Sequence, residues 1–375
     1  MGDGGKDKRG SKLAQKFVID IFKPAEYSKC ELDLHYLAEI LEKNFQFASM
    51  GRYAFYHILN ALNIHQKILI PAYICNSILD PLKILKIEPV FYDLDMKDLN
   101  ASLESIAFLA QKFEVKSILI ASMYGNPANL VEIEKFCHDN GIILIDDSAQ
   151  SFGAKFDNRY VGTFGDAGFF SLSPGKPAAA HMGAFFWTGN ENYHIQRTKH
   201  LLYHHVCYWD FFFNRLNRYR YNKIKLNKLF PLLKRMIGKM VDITNDDISP
   251  FETPIIGGII NAVLNNQYSY RKKYVEDFSN RFGNNPYFRI IQSIRGEANN
   301  HKLVLLANDL KVAQNLSGYL YNNGIYNLNG YAILTDDYKY LSNCQKINKR
   351  VIEIPIENNQ LKMDYLFQKI ESFKG

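Results

Sequence analysis

Cysteine is scarce in this chain and poorly placed for either of its usual structural jobs. The five residues Cys30, Cys75, Cys137, Cys207 and Cys344 are odd in number, widely scattered and without a CxxC pair. The ten histidines, His204 and His205 included, show no metal-ligand spacing to them or to one another. Neither a disulfide framework nor a zinc site is indicated, and no metal is expected. Long hydrophobic runs are missing as well. None approaches the roughly 20 residues that a membrane-spanning helix requires, and no charged-then-apolar leader precedes a cleavage site. The expectation is a cytoplasmic protein. There is no internal repeat and no low-complexity linker. Only residues 1–14, rich in Gly and Lys, read as a disordered tail.

A hydrophobic content of 47% with 14% aromatics is ample for a packed core, and 375 residues exceed what one core usually organises. A large domain over 15–245 and a smaller C-terminal domain over 246–375 are expected. The net charge of +7 is unevenly placed: between Arg197 and Lys239 stand eleven Lys or Arg against one acid, Asp210, interleaved with aromatics. That basic helical segment, 196–241, reads first as a solvated excursion with its aromatic face packed inward. A peripheral membrane or lipid-diphosphate contact through 197–239 stays open, whereas no nucleic-acid motif accompanies the charge, so no nucleic-acid partner is expected.

Apolar residues at offsets of three, four and seven predict helices within 34–65. Short apolar runs at 68–70, 89–92, 117–121, 142–145, 168–172 and 184–188 read as strands. Where ten or more residues of helical pattern separate them, crossover connections and a mainly parallel sheet follow. From about residue 300 a second pattern appears, with strands at HKLVLLAN and VIEIPI and helices over 310–323 and 361–373.

Two of the strands end in reactive side chains. IILIDDSAQSFGAKF places Asp146 and Asp147 at a strand's carboxyl end, where open α/β sheets bind ligands. FGDAGFFSLSPGK ends a second strand in hydroxyls and then Lys176, flanked by Gly175 and Pro177. A strand-end acid and a lysine in a tight turn suit pyridoxal 5'-phosphate (PLP). The amine condenses with the aldehyde, and the acid keeps the pyridine nitrogen protonated so that the ring draws electrons. Successive strand residues point to opposite faces, so only one of the two acids can face a cofactor.

These runs, with ILIPAYICNSI, EPVFYDLD and ASMYGNPANLVEIEKFCHDNG, resemble the DegT/StrS family of PLP-dependent sugar aminotransferases. The resemblance implies an α/β PLP-transferase fold of the aspartate aminotransferase type, with a large, mainly parallel sheet domain and a smaller C-terminal α/β domain. It implies that Lys176 and Asp147 are catalytic, with Asp147 as the acid of the D-x-A-Q motif and Asp146 as a surface or helix-capping carboxylate. Gln150 is then placed at the cofactor's phenolic oxygen, Ala149 beneath its ring and Ser171 at its phosphate, with Ser173 a weaker second. The family's S-G-T-x-A turn reads SMGRYA here, so Gly51 and Arg52 stand at the helix start that would hold the phosphate.

The match is imperfect. Arg52 replaces a hydroxyl, and a glycine-rich stretch after the lysine has become PAAAHMGAFF, bringing in His181. The cross-subunit N-x-R segment has no clear counterpart near 251–258. The aromatic ring that stacks on the cofactor is replaced near Cys75, leaving Tyr73 or Cys75 to cover the ring face. Tyr124, His181 and Tyr331 are substrate-side candidates by position. The resemblance implies a homodimer that aminates a nucleotide-linked keto-sugar from glutamate, for surface polysaccharide or a related glycan. Two alternatives remain at this stage. One is a sugar dehydratase, whose family members carry histidine in place of the lysine. The other is a catalytically idle member acting as a binding or regulatory subunit.

Overall fold

The computed structural model describes residues 19, 28–180, 183–195 and 253–375. The expected tail at 1–14, the basic segment at 196–241 and His181 lie outside the described residues.

The chain enters through α1 (Leu34–Leu41), β1 (Gln46–Ala48), α2 (Gly51–Ala61) and β2 (Lys67–Pro71). It continues through α3 (Leu79–Leu85), β3 (Glu88–Tyr92), α4 (Leu103–Lys112), β4 (Ser117–Ala121), α5 (Leu130–Asp139) and β5 (Ile143–Asp147). A short hairpin, β6 (Lys155–Phe156) and β7 (Arg159–Tyr160), leads to β8 (Ala167–Ser171) and β9 (Ala184–Thr188). These strands, the hairpin apart, form a seven-stranded sheet in the order β1-β9-β8-β5-β4-β2-β3. From β3 to β8 the neighbours are parallel, while β9 and β1 close the far edge antiparallel. Both faces are covered. Ile68, Ile70, Ile145 and Phe169 pack against Phe55, Ile58 and Leu59 of α2. Leu69, Ile118 and Leu144 pack on the opposite side, against Ile106 and Leu109 of α4 and Ile133 of α5. Parallel strands buried on two faces explain the unbroken apolar runs in the sequence.

The second unit holds α6 (Thr253–Leu264), α7 (Tyr270–Phe282), β10 (Phe288–Ile291), β11 (Lys302–Ala307), α8 (Leu310–Asn322), α9 (Ser342–Ile347), β12 (Val351–Pro355) and α10 (Gln360–Ser372). Its three-stranded sheet, β10-β11-β12, is antiparallel throughout. One face, with Leu303, Leu305, Ile352 and Ile354, packs on α7, α8 and α10. The other, with Val304, Leu306 and Val351, joins the apolar cluster beneath the large sheet. The two units therefore share a core. Asp93, just after β3, accepts hydrogen bonds from the Asn343 and Cys344 amides at 2.8 Å each, capping α9 from the large unit.

The boundary expected at 246 lies outside the described residues. Ile256, Ile259 and Ile260 of α6 pack with Phe170 and Phe185 of the large sheet. The small-sheet cluster draws instead on Tyr274 and Phe278 of α7.

Candidate active site

The carboxyl ends of β4, β5 and β8, the turn after β2 and the start of α2 surround a cavity of about 290 Å³. Asp147, Ala149, Gln150, Ser171 and Lys176 all line it. A larger cleft of about 440 Å³ lies between α7 and residues 292–300, but none of these side chains lines it. The chemistry therefore points to the smaller cavity.

Strand parity separates the two acids. Asp147 shares the side of Ile145, which packs toward α2, and reaches the cavity. Its Oδ1 accepts from the Ala149 amide at 2.9 Å. Burial pushes its carboxyl up to about 6, a rise held back by that hydrogen bond and by the Lys176 charge. Asp146 faces the other way, fully buried, and its Oδ2 accepts from the amides of Gly162 at 2.6 Å and Phe164 at 3.2 Å. The expectation of a surface or helix-capping carboxylate for Asp146 is wrong. It fastens the loop that leads into β8, and burial pushes its carboxyl up to about 7.

Lys176 closes a turn whose sequence dictates its shape. Ser173-Pro174-Gly175-Lys176 has proline at the second position and glycine with φ +83° at the third. The Lys176 amide donates to the Ser173 carbonyl at 3.2 Å, as a type II turn requires. The side chain is partly buried and enters the cavity. Burial lowers its amine from the usual lysine range, against the opposing pull of Cys75 and Asp147.

The other end of the cavity is formed by the first turn of α2. Met50 stands at the N-cap without a side-chain cap, so that turn offers the helix's positive end to the cavity. A Cβ on Gly51 would sit 3.3 Å from the Ser171 Cβ, so glycine lets β8 and α2 meet. Ser171 Oγ and Ser173 Oγ lie 3.2 Å apart. Arg52 lines the cavity too, but its Nη1 is bound to Asp80 Oδ2 at 2.8 Å, a partner from α3 that local sequence does not reveal.

The tyrosines sort differently from expectation. Tyr331 lines the cavity. Tyr73 and Tyr124 do not; their hydroxyls lie 2.6 Å apart, and the Tyr331 amide donates to the Tyr73 hydroxyl at 3.2 Å. They support Tyr331 from behind, with ring centroids at 5.8 and 6.2 Å. Of the two residues offered for the ring face, Cys75 lines the cavity and Tyr73 does not. The Tyr124 amide donates to Gln150 Oε1 at 3.2 Å, which holds the glutamine against the turn after β4.

Sequence reasoning missed Asp80, and also the buried pair Lys302–Glu353 across β11 and β12. Both charges act on Lys176, Lys302 lowering its amine and Glu353 raising it. Lys302 opens β11 and Glu353 is the middle residue of β12, each a lone charge in an otherwise apolar strand, and that is the local signal the sequence offers.

Comparison with known proteins agrees with this geometry. Residues 47–225 match the model of the DegT/DnrJ/EryC1/StrS aminotransferase family. A GDP-4-keto-6-deoxy-D-mannose 3-dehydratase of Escherichia coli O55:H7 is 35% identical over 130 residues, 34% of this chain and 33% of the relative. A GDP-perosamine synthase of Escherichia coli O157:H7 is 28% identical over 147 residues, 38% of this chain and 40% of the relative. The matches thus span well under half the length of these relatives. Among solved structures, the E. coli GDP-4-keto-6-deoxy-D-mannose-3-dehydratase with bound hydrated PLP superposes with a TM-score of 0.65 at 24% identity. That superposition covers 89% of this chain and 90% of the other, and it shows the same fold. The α/β PLP-transferase architecture expected from the sequence is the one present.

Proposed function

We propose that the protein is a PLP-dependent aminotransferase that converts a nucleotide-linked keto-sugar to an amino sugar, with glutamate as donor. One observation carries the reading: Lys176 and Asp147 line one cavity, and each bears on the other's charge.

The residues present fit the cofactor. Lys176 would hold its aldehyde carbon, Asp147 its ring nitrogen and Gln150 its phenolic oxygen. Ala149 and Cys75 would flank the ring, while Ser171, Arg52 and the α2 amides beginning at Gly51 would take its phosphate. When bound, PLP supplies an electron sink for the carbon that gains or loses nitrogen. The protein supplies the proton chemistry. Burial lowers Lys176, which favours the neutral Nζ that can accept a proton from a carbon acid and then return it. Asp147 holds negative charge opposite, where a protonated ring nitrogen repays the burial that raises its carboxyl. Ile74, Ile78 and Phe169 supply apolar wall that limits water around Nζ.

The substrate side is proposed at Tyr331, which faces the cavity. The protein is further proposed to act as a homodimer. Similarity to a 3-dehydratase supports a second reading, loss of water from a 4-keto-6-deoxy sugar in place of amination. Lysine at 176 favours amination, since it keeps the amine that transfer of nitrogen needs. Incubation with glutamate and a panel of nucleotide keto-sugars, followed by mass detection, separates the two. A nitrogen-containing sugar supports the aminotransferase, a dehydrated one supports the alternative, and unchanged sugars with every substrate would contradict both.

A further inference from the structure

We propose that Arg271 and Asn299 are positioning residues that clamp the turn bearing Lys176 and the turn that follows Asp147 from the small-sheet side of the chain. The inference rests on the PLP reading above.

Arg271 is the second residue of α7, only 8% exposed, and its Nη2 donates to the Pro177 carbonyl at 2.9 Å. Pro177 directly follows Lys176, so the lysine is held on both sides. Ser173 takes its amide within the turn, and Arg271 takes the next carbonyl. Among the described residues no carboxylate pairs with Arg271, and its buried Nε has no hydrogen-bond partner. The guanidinium stacks on Tyr268 at 4.2 Å. A buried cation without a counter-ion is costly, and an apolar side chain would fill the space at lower cost. Beside its contacts with Tyr268 and Tyr270, what arginine provides there is a charge-assisted bond to one carbonyl, roughly twice as strong as a neutral one.

Asn299 acts on the turn that follows the acid. Its Nδ2 donates to the carbonyls of Gln150 at 3.0 Å and Phe152 at 3.1 Å. Its Oδ1 accepts from the His301 amide at 3.2 Å, and its own amide donates to the Gly125 carbonyl at 3.2 Å. The approach is so close that a Cβ on Gly125, where φ is +83°, would lie 1.9 Å from Asn299 Oδ1. Asn299 thus holds the turn after β4, which carries Tyr124, through its backbone amide, and the turn after β5, which carries Ala149 and Gln150, through its side chain. Because the Asn299 amide faces carbonyls, its Oδ1 faces His301 Nδ1 at 3.0 Å, which makes that nitrogen the protonated one. Arg271 and Asn299 also both line the larger cleft beside the small sheet.

The test uses Arg271→Gln, Arg271→Lys and Asn299→Asp in the full chain. Three quantities are read: PLP affinity of the cofactor-free protein by absorbance titration, the pH midpoint of the loaded protein's visible band, and melting without PLP. Arg271→Gln should weaken PLP binding about tenfold or more and move the midpoint, because the amine loses its fixed turn. Arg271→Lys should recover much of both, since an ammonium can still donate to the Pro177 carbonyl. Should Arg271→Gln fail to fold, Asn299→Asp decides, because it keeps size and the Oδ1 acceptor but loses both donors. Variants that melt lower yet bind PLP like the wild type, with the midpoint unmoved, would reduce both residues to structural roles and overturn the inference. Wild-type protein that takes up no PLP would instead overturn the reading it rests on.

Discussion

At the scale of single residues the account turns on which group can change its charge in the cavity. Lys176→Ala should leave a folded protein with no covalent PLP and no transamination, because neither attachment nor proton transfer survives without Nζ. Unreduced turnover in that variant would remove Lys176 from the chemistry. Asp147→Asn should retain PLP but lose roughly a hundredfold or more in turnover, the scale seen when a preorganised electrostatic partner is removed. Asp146→Ala should do the reverse. Two buried amides, those of Gly162 and Phe164, would lose their acceptor, costing about 1–3 kcal/mol of stability while the site keeps its charges. Comparing turnover with thermal melting for both variants checks the assignment, and exchanged phenotypes would mean that the strand register had been misread. Strand parity, a local rule, says only that one of the two acids can face the cavity; the choice of Asp147 came from the resemblance to the D-x-A-Q motif. What Asp146 does was not legible in the sequence, since its partners lie sixteen and eighteen residues away in a loop.

At the scale of elements, the end of the cavity proposed to take the phosphate depends on α2 meeting β8 through Gly51. Arg52 was legible as an oddity in the SMGRYA turn, but its link to Asp80 comes from packing of α3 beside α2 and leaves no trace in either segment. If Arg52 also reaches the phosphate, Arg52→Ala should weaken PLP affinity about ten- to a hundredfold. Arg52→Lys should restore only part, lacking the bidentate fork. Equal affinity in the alanine variant, measured by titration of cofactor-free protein, would leave the phosphate to Ser171 and backbone amides. The strands themselves were easy to read, since burial on both faces writes them as apolar runs. The antiparallel order of the small sheet was not, because pairing direction depends on connections rather than composition. The packing of α6 was not legible for a similar reason: its isoleucines specify burial but not which core receives them.

At the scale of the whole molecule, charge linkage sets how the protein responds to pH. Asp147 has a folded value near 6, above the ordinary carboxyl range, so its ionisation works against the cofactor-free fold as pH rises through 6. A cationic ring nitrogen would reverse that. The rise in melting temperature on adding PLP should therefore grow between pH 5 and pH 7, roughly an interval centred on that value. Using the difference matters because buried His57, lowered to about 4 by burial, acts with the opposite sign. Its contribution is complete above the ordinary histidine range and is lost as pH falls toward 4. A PLP-induced shift that is flat across this interval would remove Asp147 from cofactor binding. A two-fold dimer is also proposed, and a stable, active monomer in sedimentation would contradict it.

The most direct test of the central claim is chemical. Cofactor-free protein is mixed with PLP, reduced with borohydride, digested and mapped by mass spectrometry. The account predicts one modified lysine, Lys176, with modification lost in Lys176→Ala and weakened below pH 6. Modification spread over surface lysines, or confined to a residue other than Lys176, would contradict it.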